Sequence, residues 1–185
     1  MVATPIGNLR DLSFRALDIL NEVDLILCED TRKSRILFNE FNIMTKYDSL
    51  HEFTSFKNIE KYVSFLEEGN SIALISDAGT PLISDPGFEI VKIAKEKNIF
   101  VNPLPGPSSV ISALVGSGLK IDKFIFEGFP PRKKQELENY LKCYLYEERT
   151  VVLFESPRRI KKLVQSVIEI LGKDRNVSLA KEISK

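Results

Sequence analysis

Apolar positions along this chain fall into two periods, short continuous runs and stripes repeating every three to four residues, and the two kinds alternate from end to end. Ser71-Ile72-Ala73-Leu74-Ile75 is a short unbroken apolar run, the pattern of a strand buried on both faces. Phe88, Ile90, Val91 and Ile93 then recur at helical spacing, so Pro86-Gly87 opens a helix that extends to Lys97. The same reading places a strand end at Val2-Ala3-Thr4, a helix over Leu12 to Leu20, a strand over Val23 to Cys28, and helices over Arg32 to Phe41 and Ile59 to Leu66, the last closed by Gly69. Further on it predicts a strand at Ile99-Phe100-Val101 and a helix over Ser108 to Val115. After Gly116-Ser117-Gly118 come strands at Phe124-Ile125-Phe126, Thr150 to Phe154 and Val177 to Ala180, separated by helices over Lys133 to Tyr146 and Ile160 to Leu171. Repeated strand-helix alternation of this kind is an α/β class with a doubly wound parallel sheet.

The strand ends carry the chemistry. Ile75-Ser76-Asp77-Ala78-Gly79-Thr80-Pro81-Leu82-Ile83-Ser84-Asp85-Pro86-Gly87 sets two aspartates among glycines and prolines just after a buried strand. In open α/β sheets that edge binds small molecules, and Gly or Pro there shapes backbone that approaches a ligand closely. Two further strand ends are built alike, at Thr4-Pro5-Ile6-Gly7-Asn8-Leu9 and Asn102-Pro103-Leu104-Pro105-Gly106-Pro107-Ser108-Ser109, and all three open on one edge of the predicted sheet. None of them is G-x-G-x-x-G or G-x-x-x-x-G-K-[ST], which disfavours a nicotinamide cofactor or a P-loop nucleotide. Backbone carbonyls, small residues and carboxylates suit instead a ligand with a cation, a sugar diol and an adenine edge. S-adenosyl-L-methionine is such a ligand, and Asp77 is the candidate for the electrostatic contact. The competing reading of Asp77 is a turn residue that caps local amides.

With 43% hydrophobic and 28% charged residues over 185 positions, the chain can bury a real core in one large domain or two small ones. No apolar run has the length of a membrane span, and Met1-Val2-Ala3-Thr4 is not a basic-then-apolar leader, so the expectation is a cytoplasmic protein without membrane association. Its start inside a strand and its stop at Glu182-Ile183-Ser184-Lys185 read as a shortened chain. Cys28 and Cys143 lack metal or redox spacing and read as two free buried thiols; no metal site is expected. Zero net charge conceals an asymmetry: up to Gly118 acidic residues outnumber basic ones 16 to 11, and from Leu119 basic residues lead 15 to 10. A boundary near Ser117 to Lys120 therefore divides an N-terminal doubly wound domain, 1–118, from a basic C-terminal α/β domain, 119–185. Clustered Lys and Arg are what phosphate contacts need, although solvated lysines account for the step almost as well.

Six segments in order, Val2 to Leu9, Glu29-Asp30-Thr31-Arg32, Ser76 to Pro81 with Ile83 to Gly87, Pro105-Gly106-Pro107-Ser108, Phe126-Glu127-Gly128-Phe129 and Glu155-Ser156-Pro157, resemble the RNA-modifying branch of the tetrapyrrole methylase family over essentially the whole chain. The resemblance implies an α/β fold of two α/β domains with the cofactor cleft between them, and S-adenosyl-L-methionine as cofactor. It implies 2′-O-methylation of a cytidine ribose in the decoding region of small-subunit (16S) ribosomal RNA, within the small ribosomal subunit, by a homodimer. On it, Thr4, Pro5, Ile6, Gly7, Asp77, Ala78, Gly79, Thr80, Pro81, Pro105, Gly106, Ser108, Ser109, Ala113 and Leu114 match cofactor-lining positions. Glu29-Asp30-Thr31-Arg32 looks specific to the RNA branch. It follows the second strand, where carboxylates, a hydroxyl and the Arg32 guanidinium could meet a ribose and its phosphate. The same residues also suit an N-cap, Asp30 or Thr31 capping the next helix, and both roles can hold together.

A ribose hydroxyl is a weak nucleophile, so some group must take its proton; Glu29, Asp30 and Asp85 are the candidates, and the residues alone do not choose among them. His51, the sole histidine, is a weaker candidate, and loop packing or RNA contact suits it better. Arg132, Lys133 and Lys134 open one helix of the basic part, and Arg158 and Arg159, followed by Lys161 and Lys162, open the next. These clusters could contact phosphates and Phe129 could stack on a splayed base, while a solvated helix start and a core position for Phe129 are the competing readings. Cations at a helix start oppose its dipole, which mildly favours the functional reading. Other functions remain open on sequence grounds: a precorrin or diphthine methylase on the same cofactor site, or a non-catalytic ribosome-assembly factor that only binds RNA.

Overall fold

A computed structural model describes residues 1–185, which form two compact units, Met1–Ser109 with Ser184–Lys185 and Val110–Ile183. In the first, helices α1 (Phe14–Glu22), α2 (Thr31–Glu40), α3 (Phe56–Glu67) and α4 (Phe88–Glu96) alternate with strands β1 (Leu25–Cys28), β2 (Tyr47–Ser49) and β3 (Ile72–Ile75). The three strands are parallel in the order β2-β1-β3, with Cys28 in register with Ser49 on one side and Ile75 on the other. Strict alternation along β1 and β3 sorts the core into two layers. Ile26, Cys28, Ala73 and Ile75 pack with Ala16 and Leu20 of α1 and Leu37 and Phe38 of α2. Leu27 and Leu74 turn the other way, onto Ile59, Tyr62 and Val63 of α3 and Ile90 of α4. Helices thus cover both faces, which is why these strands read as continuous apolar runs.

Local capping sets the helix starts. The Ser13 and Ser55 hydroxyls accept from Ala16 and Asn58 N–H at the heads of α1 and α3, and the Asp30 carboxylate accepts from Arg32 N–H at the head of α2. Gly87 opens α4 at φ 118°, a backbone conformation that favours glycine, and a Cβ there would lie 2.6 Å from Leu74 Cδ2, which would have to shift.

The second unit contains most of α5 (Ser109–Gly116), then β4 (Phe124–Phe126), α6 (Lys134–Lys142), β5 (Thr150–Val152) and α7 (Ile160–Leu171). β4 and β5 form a parallel pair, and Leu137 and Leu141 of α6 pack on Leu163 of α7.

Several expectations are corrected. Val2–Thr4 is extended beside β3, with Val2 N–H bonded to Leu74 C=O at 2.9 Å, but it forms only an isolated bridge, Thr4 with Gly79. Ile99–Val101 is not a strand. The chain there runs into Pro103, Pro105 and Pro107, which have no N–H, and its ties to the neighbouring segment are Leu104 N–H to Met1 C=O at 2.9 Å and the Met1 ammonium to Asn102 C=O at 3.0 Å. Val177–Ala180 has the alternation of a strand without a neighbour to pair with, and Val177 and Leu179 are exposed. β2 was not legible, because Tyr47-Asp48-Ser49 is a polar edge strand. α6 stops at Lys142, so Cys143 is its C-cap and is exposed, while Cys28 is buried with its thiol pushed up to about 11 by burial; both are free. No helix is long and apolar enough to cross a membrane.

Candidate active site

The parallel register of β2-β1-β3 brings three strand ends side by side, so that Leu50-His51, Glu29-Asp30 and Ser76-Asp77 leave the sheet together at its carboxyl edge. The glycine- and proline-rich loops join them there. Thr4 and Gly79 exchange both backbone bonds at 2.9 Å, and the Thr4 hydroxyl, itself buried, donates to Ser76 C=O at 3.1 Å. The Thr80 hydroxyl donates to Pro107 C=O at 3.0 Å, which ties the second loop to the third. Gly79 sits at φ 87° with Ile6 Cγ2 3.2 Å from where a Cβ would be, and a Cβ on Gly106 would meet Ala3 Cβ at 2.7 Å. Pro5 and Pro81 are buried as supports, whereas Gly7, Ala78, Pro105 and Gly106 are exposed and lie on the accessible side of the assembly. Ser108 and Ser109 are half-buried beside them; Ala113 and Leu114, half-buried and buried, stand on α5 in the second unit.

Asp77 ties this loop assembly to the segment after β1. Its Oδ1 accepts from the Asp30 backbone N–H at 3.1 Å and its Oδ2 from Lys33 Nζ at 2.5 Å. Both oxygens are thereby engaged from one side, by a residue pair at the head of α2. Asp30 holds several bonds at once: its Oδ1 caps α2 and receives Arg32 Nε, and its Oδ2 receives Arg32 Nη2 at 2.8 Å. Those bonds to Arg32 hold the Asp30 carboxyl at about 2, well below the usual range.

Glu29 and Asp85 are displaced in the opposite direction. Burial pushes the Glu29 carboxyl up, and the neighbouring Asp77 and Asp85 charges push it further, against a bond from the Asp77 backbone N–H and the Lys33 charge. Asp85 is raised by burial and by Asp77, while the Ser76 hydroxyl, which lies 3.2 Å from Gly79 C=O, works against the shift. Leu82 and Ser84, on the approach to Asp85, adopt left-handed φ values of 72° and 66° that non-glycine residues seldom hold. The carboxylates do not converge as a metal-ligand group.

The Glu29 shift gives a stability prediction with a defined sign. A folded-state value above the unfolded one means that folding favours the protonated form. Glu29 is then harmless below the ordinary glutamate range and costs stability as pH rises through its folded value. Glu29→Gln is expected to melt higher than the unsubstituted protein at neutral pH, with the gap closing as pH falls to about 4. Scanning calorimetry at both pH values checks this, and a pH-independent gap would contradict the stated cause.

His51 Nδ1 accepts from Phe53 N–H at 3.2 Å, which leaves the neutral ring's proton on Nε2. In the second unit, the loops after β4 and β5 are joined by Phe154 N–H to Gly128 C=O at 2.7 Å and by ring contacts of Phe154 with Phe126 and Phe129 at 5.0 and 5.5 Å. Phe129 remains 61% exposed. Of the basic residues, Arg132 and Arg158 are exposed, and Lys133 and Lys134 pair with Glu136 and Glu138 along α6. Arg159 is turned inward. Its guanidinium lies 2.9 Å from the buried Glu155 carboxylate, off the angle of a hydrogen bond, and donates to Pro130 and Pro131 C=O at 3.1 and 3.2 Å. Sequence reasoning missed the roles of the Ser76 hydroxyl and of Lys33. A lysine in the first turn of a helix reads as solvated, and its only sequence signal is its position three residues after Asp30, on the same helix face.

These features define a tetrapyrrole-methylase fold, and the chain belongs to the Tetrapyrrole (Corrin/Porphyrin) Methylases, whose family model matches residues 1–185. Within that family it is 43% identical over 185 residues to a protein of Escherichia coli O157:H7 named ribosomal RNA small subunit methyltransferase I, covering 100% of this chain and 65% of that protein. It is 45% identical to the Thermotoga maritima protein of the same name, covering 100% of this chain and 82% of that one. The chain thus spans somewhat less than two thirds of the first relative. Among solved structures, cobalt precorrin-4 methyltransferase (TM-score 0.67, 17% identity, 94% of this chain and 74% of that one) and diphthine synthase (TM-score 0.68, 17% identity, 91% and 69%) share the fold.

Proposed function

We propose that this protein transfers a methyl group from S-adenosyl-L-methionine to the 2′-hydroxyl of a cytidine ribose in 16S ribosomal RNA, acting as a cytoplasmic homodimer on the small ribosomal subunit. The observation that carries the reading is Asp77, which binds the glycine-proline loops to the Glu29–Lys33 segment and so sets a donor-type loop assembly against an acidic strand end. The names of relatives 43% and 45% identical over the full chain support the RNA acceptor. The donor set fits the cofactor: one engaged carboxylate for a cation or diol, hydroxyls at Thr4 and Thr80, and exposed small residues at Ala78 and Gly106 where a planar base can approach. Within the first unit, Thr4 to Gly7, Asp77 to Pro81 and Pro105 to Ser109 would hold it.

S-adenosyl-L-methionine supplies an electrophilic methyl group carried on a sulfonium. The protein's own residues supply alignment and a proton acceptor. Alignment of reacting groups alone can lower a barrier by several kcal/mol, about 7–11 in the best intramolecular cases. Glu29 and Asp85 are assigned to receive the ribose hydroxyl proton, because both lie on segments that leave strand ends at this edge and burial raises each carboxyl above its ordinary value, which makes its ionised form a stronger base. Asp30, held low and paired with Arg32, is given a positioning role at the head of α2. Arg132, Arg158 and Phe129 form the RNA-facing set of the second unit, with Lys133 and Lys134 contributing where a phosphate outcompetes Glu136 and Glu138.

Incubation with methyl-labelled S-adenosyl-L-methionine and unmodified small ribosomal subunits, followed by digestion of the RNA to nucleosides, tests the reading. Label in 2′-O-methylcytidine is the expected result. Label on protein, RNA binding without transfer, or, in a parallel incubation with a precorrin, label on the tetrapyrrole alone would replace it with one of the other functions the fold allows.

A further inference from the structure

We infer that Lys33 is a positioning residue that carries its charge from Asp77 to a backbone phosphate of the RNA acceptor as the acceptor docks; this rests on the proposed function. Four carboxylates, Glu29, Asp30, Asp77 and Asp85, stand at the strand edge where a polyanion has to arrive; beyond burial, the Asp77 and Asp85 charges push the Glu29 carboxyl up, and the Asp77 charge pushes that of Asp85 up. Two cations stand against them at the head of α2. Arg32 is already committed, its Nε and Nη2 donating to both oxygens of Asp30 at 3.1 and 2.8 Å. Lys33 is held by a single contact, its ammonium against Asp77 Oδ2 at 2.5 Å, and its side chain is 65% exposed where that of Asp77 is 19% exposed. One side of the ammonium therefore faces a carboxylate and the other faces solvent.

Lysine suits such a transfer, being a point charge on a flexible stem rather than a planar fork locked into one geometry. A phosphate reaching the edge meets the ammonium first, which screens the carboxylates behind it and anchors the strand beside Glu29. Asp77 keeps its bond from the Asp30 N–H when Lys33 leaves, so the loop assembly stays in place while Oδ2 becomes free toward the cofactor. Phosphate capture releases a counterion, and that leaves a signature in salt.

The test is RNA binding as a function of KCl, with a hairpin of the 16S decoding region as probe, for the unsubstituted protein, Lys33→Met, Lys33→Arg and Lys97→Met. Lys97 pairs with Glu67 in a surface salt bridge between α4's end and α3, and serves as the control cation. Lys33→Met is expected to bind about tenfold more weakly, with the slope of log affinity against log salt smaller by about 0.7–1. Lys33→Arg is expected to restore the slope, and Lys97→Met to leave it unchanged. Calorimetric titration of S-adenosyl-L-methionine without RNA should give Lys33→Met an affinity within about threefold of the unsubstituted protein. An unchanged salt slope in Lys33→Met overturns the inference while the proposed function stands. A loss of cofactor affinity as large as the loss of RNA affinity also overturns it, since Lys33 would then serve only to hold Asp77. Failure of the unsubstituted protein to bind the hairpin overturns the proposed function and this inference with it.

Discussion

Asp77→Asn is expected to bind S-adenosyl-L-methionine about tenfold to a hundredfold more weakly while keeping its helical content. A hydrogen bond to a charged group contributes about 1.5–3 kcal/mol, and each 1.4 kcal/mol is a factor of ten in affinity. Asparagine keeps an oxygen for the Asp30 N–H at 3.1 Å, so the segment after β1 stays in register. It cannot balance the Lys33 ammonium, and under the proposed function it offers no charge to a sulfonium or a diol. The circular dichroism spectrum and the calorimetric isotherm separate the two effects. Equal affinity in Asp77→Asn and the unsubstituted protein would remove Asp77 from the cofactor site and leave it as a turn residue.

Gly106→Val is expected to cost both fold stability and cofactor binding. The first atom added at position 106 would lie 2.7 Å from Ala3 Cβ and 3.7 Å from the Ala3 backbone, and neither neighbour can swing aside. Ala3 is almost fully buried, between Val2, whose N–H bonds to Leu74, and Thr4, whose N–H and C=O bond to Gly79. Overpacking at such a point costs about 1–3 kcal/mol, and because the strain falls between two loops that the proposed function assigns to the cofactor, affinity should drop by more than tenfold as well. Urea denaturation and cofactor titration measure the two losses. Wild-type affinity in a folded Gly106→Val would show that the close approach of these loops is unrelated to the ligand.

The contrast between Asp77 and Lys33 shows how far sequence reasoning reaches. Asp77, Asp85 and the loop residues at Thr4 to Gly7 and Pro105 to Ser109 were legible because glycine, proline and carboxylates after a buried run are local signals, visible without knowing what lies opposite. Asp30 was legible in two roles, and its bonds to Arg32 and to the first turn of α2 fill the capping one. Lys33 and the Ser76 hydroxyl were not legible, since each matters through a partner more than forty positions away or through the fold of the loop itself. The same distinction explains the strands. Leu25–Cys28 and Ile72–Ile75 are apolar because helices cover both faces, which leaves a trace in composition. Tyr47–Ser49 is defined by ladder bonds alone, and Val177–Ala180 has the composition without the ladder.

Two features of the edge pull stability and function apart. Glu29 and Asp85 are carboxylates kept where ionisation is costly, and Leu82 and Ser84 hold left-handed backbone at roughly 1–3 kcal/mol each. Such costs persist where the surrounding structure fixes them, and they concentrate at sites of chemistry. The direction expected for Glu29→Gln, higher melting at neutral pH together with slower transfer, follows from that arrangement.

The most direct measurement is a crystal structure of the protein soaked with S-adenosyl-L-methionine. Ligand density against Asp77 to Pro81 and Pro105 to Ser109, with the Asp77 carboxylate in contact, is the predicted result. Density elsewhere on the molecule, with these loops unaltered, would contradict the assignment of the β3 edge as the methyl-donor site.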